Sequence, residues 1–239
     1  MKIALIGYGR MGQAIEALAL ERNHEVVAKI TDENPETLHK LKDLGAEVAI
    51  EFTQPEAAVG NLKACFKQGI PVASGTTGWL AHWDEVVADC KAKNGTFLYA
   101  SNFSIGVNLF FKVNSFLAKL MQPQQRYDVA VEEVHHTGKK DAPSGTAITL
   151  AEGILKQLDR KNDWAYPPQE DDDKLNISAI RQDPAPGTHT ITYSSEIDTI
   201  TLTHEAHSRQ GFAMGALLAA EWLPSQQGVK TMDDFLQLD

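Results

Sequence analysis

Apolar positions change their period along this chain, and the change divides it in two. Up to about residue 102, short β-branched runs alternate with segments whose apolar residues recur at helical spacing. The runs at 2–6 and 25–30 read as strands flanking a helix at 10–22, which is a βαβ opening. Asn34 followed by Pro35 predicts a helix start, and Gly45 its end. The alternation continues through a strand at 47–52, a helix at 55–68 closed by Gly69, a strand at 70–73, a helix at 79–93 closed near Gly95, and a strand at 96–100. Strands separated by helices of this length need crossover connections. The spacing therefore predicts an α/β domain built on a parallel sheet with helices on both faces.

Past residue 101 the rhythm differs. It predicts a helix at 106–121, a strand at 127–135, a loop, and a helix at 145–158. Residues 163–174, with Pro167-Pro168 and Asp171-Asp172-Asp173, read as an exposed excursion with no core of its own. Three strands then follow in direct succession, at 176–182, 188–194 and 199–207, which predicts an antiparallel or mixed sheet in a second, α+β domain. The segment 210–222 is apolar almost all round, with Phe212, Met214, Leu217, Leu218 and Trp222, and is expected to pack back on the first domain. The expected division is thus 1–104, joined by helices of about 209–239, and 105–208 for substrate binding and oligomerisation.

Composition narrows the possible partners. The 239 residues carry a formal net charge of -10, from 22 Lys and Arg against 32 Asp and Glu, and this average field disfavours nucleic acid and anionic membranes. No run approaches the roughly 20 apolar residues of a membrane span. Cys65 and Cys90 both fall in amphipathic helical patterns, so no disulfide framework is expected. A cytoplasmic protein is the reading that follows.

Gly7-Tyr8-Gly9-Arg10-Met11-Gly12 stands directly after a strand and before a helix, the context in which this spacing binds a dinucleotide. The glycines allow a tight turn and close approach to pyrophosphate, which the free N–H groups and dipole of the helix then hold. The fold implied is a Rossmann domain carrying NADH or NADPH. The second strand ends at Ile30-Thr31-Asp32, where an acid accepts from the adenosine ribose. Asp32 would repel a 2′-phosphate and tilts the reading slightly toward NADH; Thr31 in that place, with Lys29, Arg10 or Lys63 nearby, would admit NADPH. Gly75-Thr76-Thr77-Gly78 and Ala100-Ser101-Asn102-Phe103 end the fourth and fifth strands, on the same ligand-binding rim.

The densest chemistry lies at Glu132-Glu133-Val134-His135-His136-Thr137-Gly138-Lys139-Lys140-Asp141-Ala142-Pro143-Ser144-Gly145-Thr146. Two histidines and two lysines within six residues are costly in a core and suit an anionic ligand. Ser144 is a good N-cap for the helix that follows, leaving the N–H groups of Gly145 and Thr146 to bind a carboxylate. Either His135 or Lys139 can deliver a proton. A metal centre using His189, His204 and His207 is not expected, because His204 and His207 lie three apart on a strand and face opposite ways.

Together these segments resemble the 4-hydroxy-tetrahydrodipicolinate reductase family, also called dihydrodipicolinate reductases, of the diaminopimelate route to lysine. The resemblance includes Ser101-Asn102-Phe103-Ser104-Ile105-Gly106-Val107-Asn108, the block from His135-His136 through Lys139 to Asp141-Ala142-Pro143-Ser144-Gly145-Thr146, and Ser208-Arg209 before Phe212-Ala213-Met214-Gly215-Ala216. It implies hydride transfer from NAD(P)H to C4 of the substrate ring with loss of water overall. His135 and Lys139 would be catalytic, and His136, Ser144, Gly145 and Thr146 would bind the small dicarboxylate. Cofactor contacts implied are the loop from Gly7 to Gly12 with Gly75, Thr76, Thr77, Ala100, Ser101, Asn102 and Phe103. A homotetramer joined through the second domain's sheets is also implied. The chain departs from the family at Thr31-Asp32, where an acidic-then-basic pair is common, and at Gln54, where a basic residue helps bind a 2′-phosphate. Two rival readings are another two-domain NAD(P)H dehydrogenase of an acid substrate and a non-catalytic dinucleotide sensor.

Overall fold

The computed structural model describes residues 1–208 and 210–238. Its strands in chain order are β1 (Lys2–Ile6), β2 (Glu25–Ile30), β3 (Val48–Glu51), β4 (Val72–Ser74), β5 (Thr96–Tyr99), β6 (Asp128–His135), β7 (Asp163–Ala165), β8 (Lys174–Arg181), β9 (Gly187–Ser194), β10 (Thr199–Ala206) and β11 (Gly228–Lys230). The α-helices are α1 (Arg10–Glu21), α2 (Pro55–Gln68), α3 (Trp83–Ala92), α4 (Ile105–Met121), α5 (Gly145–Leu155), α6 (Gln210–Trp222) and α7 (Met232–Leu236). Residues 1–105 with 210–238 form one compact unit, and 106–208 form the other.

The first unit is a parallel six-stranded sheet in the order β11-β5-β4-β3-β1-β2. Strand β3 is buried at every position, as a strand covered on both faces must be. On one face α2 and α3 pack Leu62, Phe66 and Val86 against Val72 and Phe97. On the other, Ile15 and Leu18 of α1 and Ala216 and Leu217 of α6 cover Leu5, Ile50 and Leu98. Each such large side chain, taken fully out of water, contributes about 2 kcal/mol. Gly69 ends α2 in the left-handed conformation at φ 69°, which glycine adopts without a Cβ penalty.

Three elements differ from the sequence pattern. Asn34 does not cap a helix, because its side chain accepts from the Thr31 N–H at 2.7 Å and donates to the Lys29 carbonyl at 2.9 Å; a 3-10 helix, Pro35–Lys40, follows instead. The segment after residue 222 is not only helical, since β11 pairs with β5 and extends the sheet. In the second unit, the excursion beginning at Asp163 starts with an edge strand, β7, parallel to β8, and Trp164 packs on the core. These short strands carry too few residues for alternation to show, and their neighbours in the sheet decide them.

The second unit holds a mixed five-stranded sheet, β10-β9-β6-β8-β7, with β6 antiparallel to β9 and parallel to β8. One face is covered by α4 and α5, where Phe110, Ala118, Leu150 and Ile154 meet Val129, Val131, Ile177 and Ile191. The other face is more open, and Ile180 there is 40% exposed. Burial along β6 alternates, with Val129, Val131, Glu133 and His135 all inside. Two apolar and two polar residues therefore share one face.

Candidate active site

The glycine loop is built by close packing. Gly7 has φ +91°, and a Cβ there would lie 1.9 Å from the Phe52 carbonyl oxygen, while one on Gly12 would lie 2.4 Å from the Gly7 carbonyl oxygen. Gly9, the N-cap of α1, has open space where its Cβ would be and no side-chain cap, so the first N–H groups of the helix are left for a ligand. Beside the loop the Tyr8 hydroxyl donates to Glu16, and the Lys29 ammonium stands 4.7 Å from the Tyr8 ring centroid and 2.6 Å from Glu16 Oε1. Arg10 is exposed and Met11 half-buried. At the end of β2, Thr31 is half-buried in the Asn34 turn and Asp32 is exposed.

The loop after β4 is held from beneath by a fully buried carboxylate. Glu51 accepts from Ser74 Oγ at 2.6 Å, from Thr76 Oγ1 at 2.7 Å and from the Thr53 hydroxyl, with Asn61 Nδ2 at 3.5 Å. Thr76 in turn accepts from the Thr53 N–H at 2.7 Å. The Thr76 hydroxyl is thereby committed to the protein, and Thr77 and Gly78 are the exposed members of the turn. Gly75 lies against the Phe52 ring, where a Cβ would come within 2.0 Å. Ala100 N–H donates to the Ser74 carbonyl at 3.2 Å, Ser101 is exposed, Asn102 accepts from Ser104 N–H at 2.9 Å, and Phe103 is buried. The ends of β1, β2, β4 and β5 thus carry, on one rim of the sheet, the residues that the sequence pattern singled out.

In the second unit, β6 delivers His135 at its last residue, and α5 begins ten residues later at Gly145. Ser144 caps α5, its Oγ accepting from Ala147 N–H at 3.2 Å, and it is buried. Gly145 is exposed and has open space where a Cβ would be, and Thr146 is half-buried. The free end of the helix is therefore presented by Gly145 and Thr146, with Ser144 supporting it from inside. Between strand and helix, Lys139 Nζ donates to both carboxylate oxygens of Asp141, at 2.8 and 2.7 Å. His136 donates its main-chain N–H to the Ala185 carbonyl at 2.8 Å, which ties this loop to the segment before β9.

Behind these residues sits Glu133, wholly buried. The Ser144 N–H donates to its two oxygens at 3.2 and 3.1 Å, and Arg181 Nη2 donates to Oε1 at 2.9 Å. His135 Nδ1 and His189 Nε2 stand 3.6 and 3.7 Å from Oε2. The rings of His135 and His189 meet edge to face at 5.1 Å. Burial pushes the Glu133 carboxyl up, but His189, Ser144 and Arg181 outweigh it and hold it down at about 2. Burial also lowers His135, to about 4; Glu133 opposes that shift, and His189, Lys139 and Arg181 add to it. His135 is consequently neutral at pH 7 in the unliganded protein.

Glu133, His135 and His189 offer three ligand atoms within 4.8 Å of one another, the spacing of a cation site. The carboxylate, however, already accepts from the Ser144 N–H and from a guanidinium whose fixed charge opposes a metal. His204, on β10, is half-buried, and His207 is exposed in the bend that follows the strand. Sequence reasoning included Glu133 in the dense segment without giving it a role, overlooked Arg181, and weighed His189 only as a metal ligand. The signal was present in the period of β6, where Glu133 falls on the same inward face as Val129 and Val131. Arg209 of the late Ser208-Arg209 pair lies outside the described residues.

Both parts of the chain match known proteins. The sequence model of the dihydrodipicolinate reductase N-terminus matches residues 1–103, and that of the C-terminus matches 106–236. A 4-hydroxy-tetrahydrodipicolinate reductase of Christiangramia forsetii is 50% identical over 236 residues, covering 99% of this chain and 98% of the relative. Another from Nitratidesulfovibrio vulgaris is 35% identical, covering 92% of each. Among solved structures, the dipicolinate-bound dihydrodipicolinate reductase of Paenisporosarcina sp. TG-14 shares the fold, with a TM-score of 0.80, 22% identity and 97% of both chains covered. With both halves matched and half of all residues identical to a full-length relative, the chain belongs to the dihydrodipicolinate reductase family, NAD(P)H-dependent oxidoreductases of lysine and diaminopimelate biosynthesis that reduce 4-hydroxy-tetrahydrodipicolinate.

Proposed function

We propose that this chain carries out that reduction with the residues named above: residues 1–104 and the C-terminal segment bind the dinucleotide, and 105–208 bind the dicarboxylate and supply the proton. One hydride and one proton enter, and one water leaves. The observation that carries the reading is the open N-terminus of α5, ten residues or fewer after two histidines and two lysines. Gly145 and Thr146 N–H groups hold one substrate carboxylate through hydrogen bonds and the helix dipole, and His136 holds it with them. Lys139 is the proton donor, because His135 is neutral at pH 7 while the Lys139 ammonium is kept in place by Asp141. His135 accepts a hydrogen bond or a proton as charge builds on the substrate.

NADH is the preferred cofactor in this proposal. Lys29 of β2 is already paired with Glu16, Lys63 is paired with Glu85 of α3, and Asp32 is exposed past the end of β2. A paired lysine has less to offer a 2′-phosphate, and Asp32 repels it. When bound, the cofactor supplies the hydride; Gly7, Gly9 and Gly12 let its pyrophosphate approach α1, and Thr77, Ser101 and Asn102 border the nicotinamide end.

A homotetramer joined through the open face of the second sheet, and a cytoplasmic location, belong to the same proposal. Both cysteines are free and buried, which fits a reducing compartment, and among the described residues no helix is long and apolar enough to cross a membrane. The test is oxidation of NADH and of NADPH, with substrate generated in situ by a coupled dihydrodipicolinate synthase, beside a light-scattering mass. Turnover with a higher kcat/KM for NADH is the expected result. Cofactor binding without turnover on this substrate would overturn the reading in favour of a sensor or a reductase of another acid.

A further inference from the structure

Through its carboxylate, Glu133 of the strand that carries His135 joins the cap of α5 and two further strands. From β6 it receives His135 Nδ1 at 3.6 Å, from the cap of α5 the Ser144 N–H, from β8 Arg181 at 2.9 Å, and from β9 His189 at 3.7 Å. The strand register explains the meeting, because Glu133 pairs directly with His189 and His135 with Arg181. Arg181 Nη2 also donates to the Asp141 carbonyl at 2.7 Å, so the same guanidinium reaches the loop that carries Lys139. His189 Nε2 lies 3.2 Å from Ser144 Oγ. The buried His135 Nδ1 has no hydrogen-bond partner, and the carboxylate is the acceptor it faces. Gly187, at φ +155°, leaves room for the other side of that ring: a Cβ there would lie 3.0 Å from His135 Nε2.

We propose that Glu133 is a positioning residue for this reduction: it fixes His135 with the Nδ1 proton toward its own carboxylate and Nε2 free, and it pins the Ser144 N–H so that the end of α5 holds its place. This rests on the reading that places His135 and the α5 N-terminus in the substrate site. Glu133 touches no substrate in this scheme and acts through His135 and Ser144. A carboxylate behind an imidazole sets its tautomer and stabilises the imidazolium, which is the logic of a catalytic triad without its nucleophile. The charge on Arg181 keeps the carboxylate ionised, and His189 shares the oxygen that faces His135. The charged and titratable groups around His135 are then Glu133 from β6, His189 from β9, Arg181 from β8 and Lys139 from the loop. A dianionic substrate adds negative charge to this set and favours the protonated ring.

The experiment is a double-mutant cycle on the full-length enzyme with Glu133→Gln, His135→Asn and the pair, following kcat, KM and pH profile, with cofactor affinity and the thermal transition measured alongside. Glu133→Gln is expected to lower kcat about 10- to 100-fold, to leave NADH affinity unchanged, and to move the pH limb that His135→Asn abolishes. In the His135→Asn background Glu133→Gln is expected to cost less than threefold more. Full activity of Glu133→Gln beside an impaired His135→Asn would overturn this inference alone. Full activity of His135→Asn would instead overturn the reading on which it rests. Should Glu133→Gln not fold, His189→Gln carries the test: a several-fold loss that disappears in the His135→Asn background supports the role, and an additive loss overturns it.

Discussion

Each unit of this protein buries one carboxylate completely, and the two are satisfied in opposite ways. Glu51, under the cofactor rim, is held by hydroxyls of Thr53, Ser74 and Thr76 and the amide of Asn61, all of them neutral. Glu133, under the substrate loop, is held by a guanidinium, two histidines and a main-chain N–H. A hydroxyl can rotate and accept as readily as it donates, so the Glu51 cluster is able to reverse its hydrogen bonds. A guanidinium and a peptide N–H cannot. The first arrangement shapes a loop with neutral groups, whereas the second sets fixed charge beside His135 and the end of α5.

The largest expected effect breaks the charged cluster outright. Glu133→Ala leaves Arg181 and the Ser144 N–H without their acceptor in a buried place, and is expected to cost about 3–5 kcal/mol of stability, read from urea unfolding. Lys139→Ala tests whether charge in this unit does chemistry: kcat is expected to fall at least about 100-fold, about 2.7 kcal/mol, with NADH affinity by fluorescence titration nearly unchanged. Equal losses of kcat and cofactor affinity would erase the distinction between the units. Glu51→Gln sharpens the comparison from the other side. Because its hydroxyl partners can reverse, it is expected to cost only about 1 kcal/mol of stability and to raise the KM for NADH more than it lowers kcat.

Acid gives the smallest and most graded test. The folded pKa of His135 is lowered to about 4, so the stability it contributes is full above the ordinary histidine value near 6.5 and is lost as pH falls from there toward 4. The carboxyl of Glu133, also lowered, contributes stability that is full above the unfolded value near 4.5 and is lost as pH falls toward 2. Urea midpoints measured from pH 7 to pH 3 are expected to decline in both windows. His135→Asn should flatten the upper one, and Glu133→Gln the lower.

Much of the site was legible because its parts are local. The glycine loop needs only a strand, three glycines and a helix within twelve residues, and the cap of α5 needs only Ser144 before a helical run. The same locality explains the misread segment after Asn34: the capping pattern was there, but the side chain closed the preceding turn instead. Strands β7 and β11, three residues each, exist because a neighbouring strand offers them hydrogen bonds. No period can show in so short a run.

By itself the sequence determined the succession of strands and helices, the two glycine-loop and strand-end rims, and the chemistry available between His135 and Thr146. Those follow from backbone periodicity and from residues within one or two turns of each other. Only the tertiary structure decided that Arg181 and His189, 48 and 56 residues beyond Glu133, share its carboxylate, because strand order and register place them there. Only the packed structure decided that burial leaves His135 neutral while His189, Ser144 and Arg181 keep Glu133 charged against its burial, since both depend on what the rest of the chain places around each group.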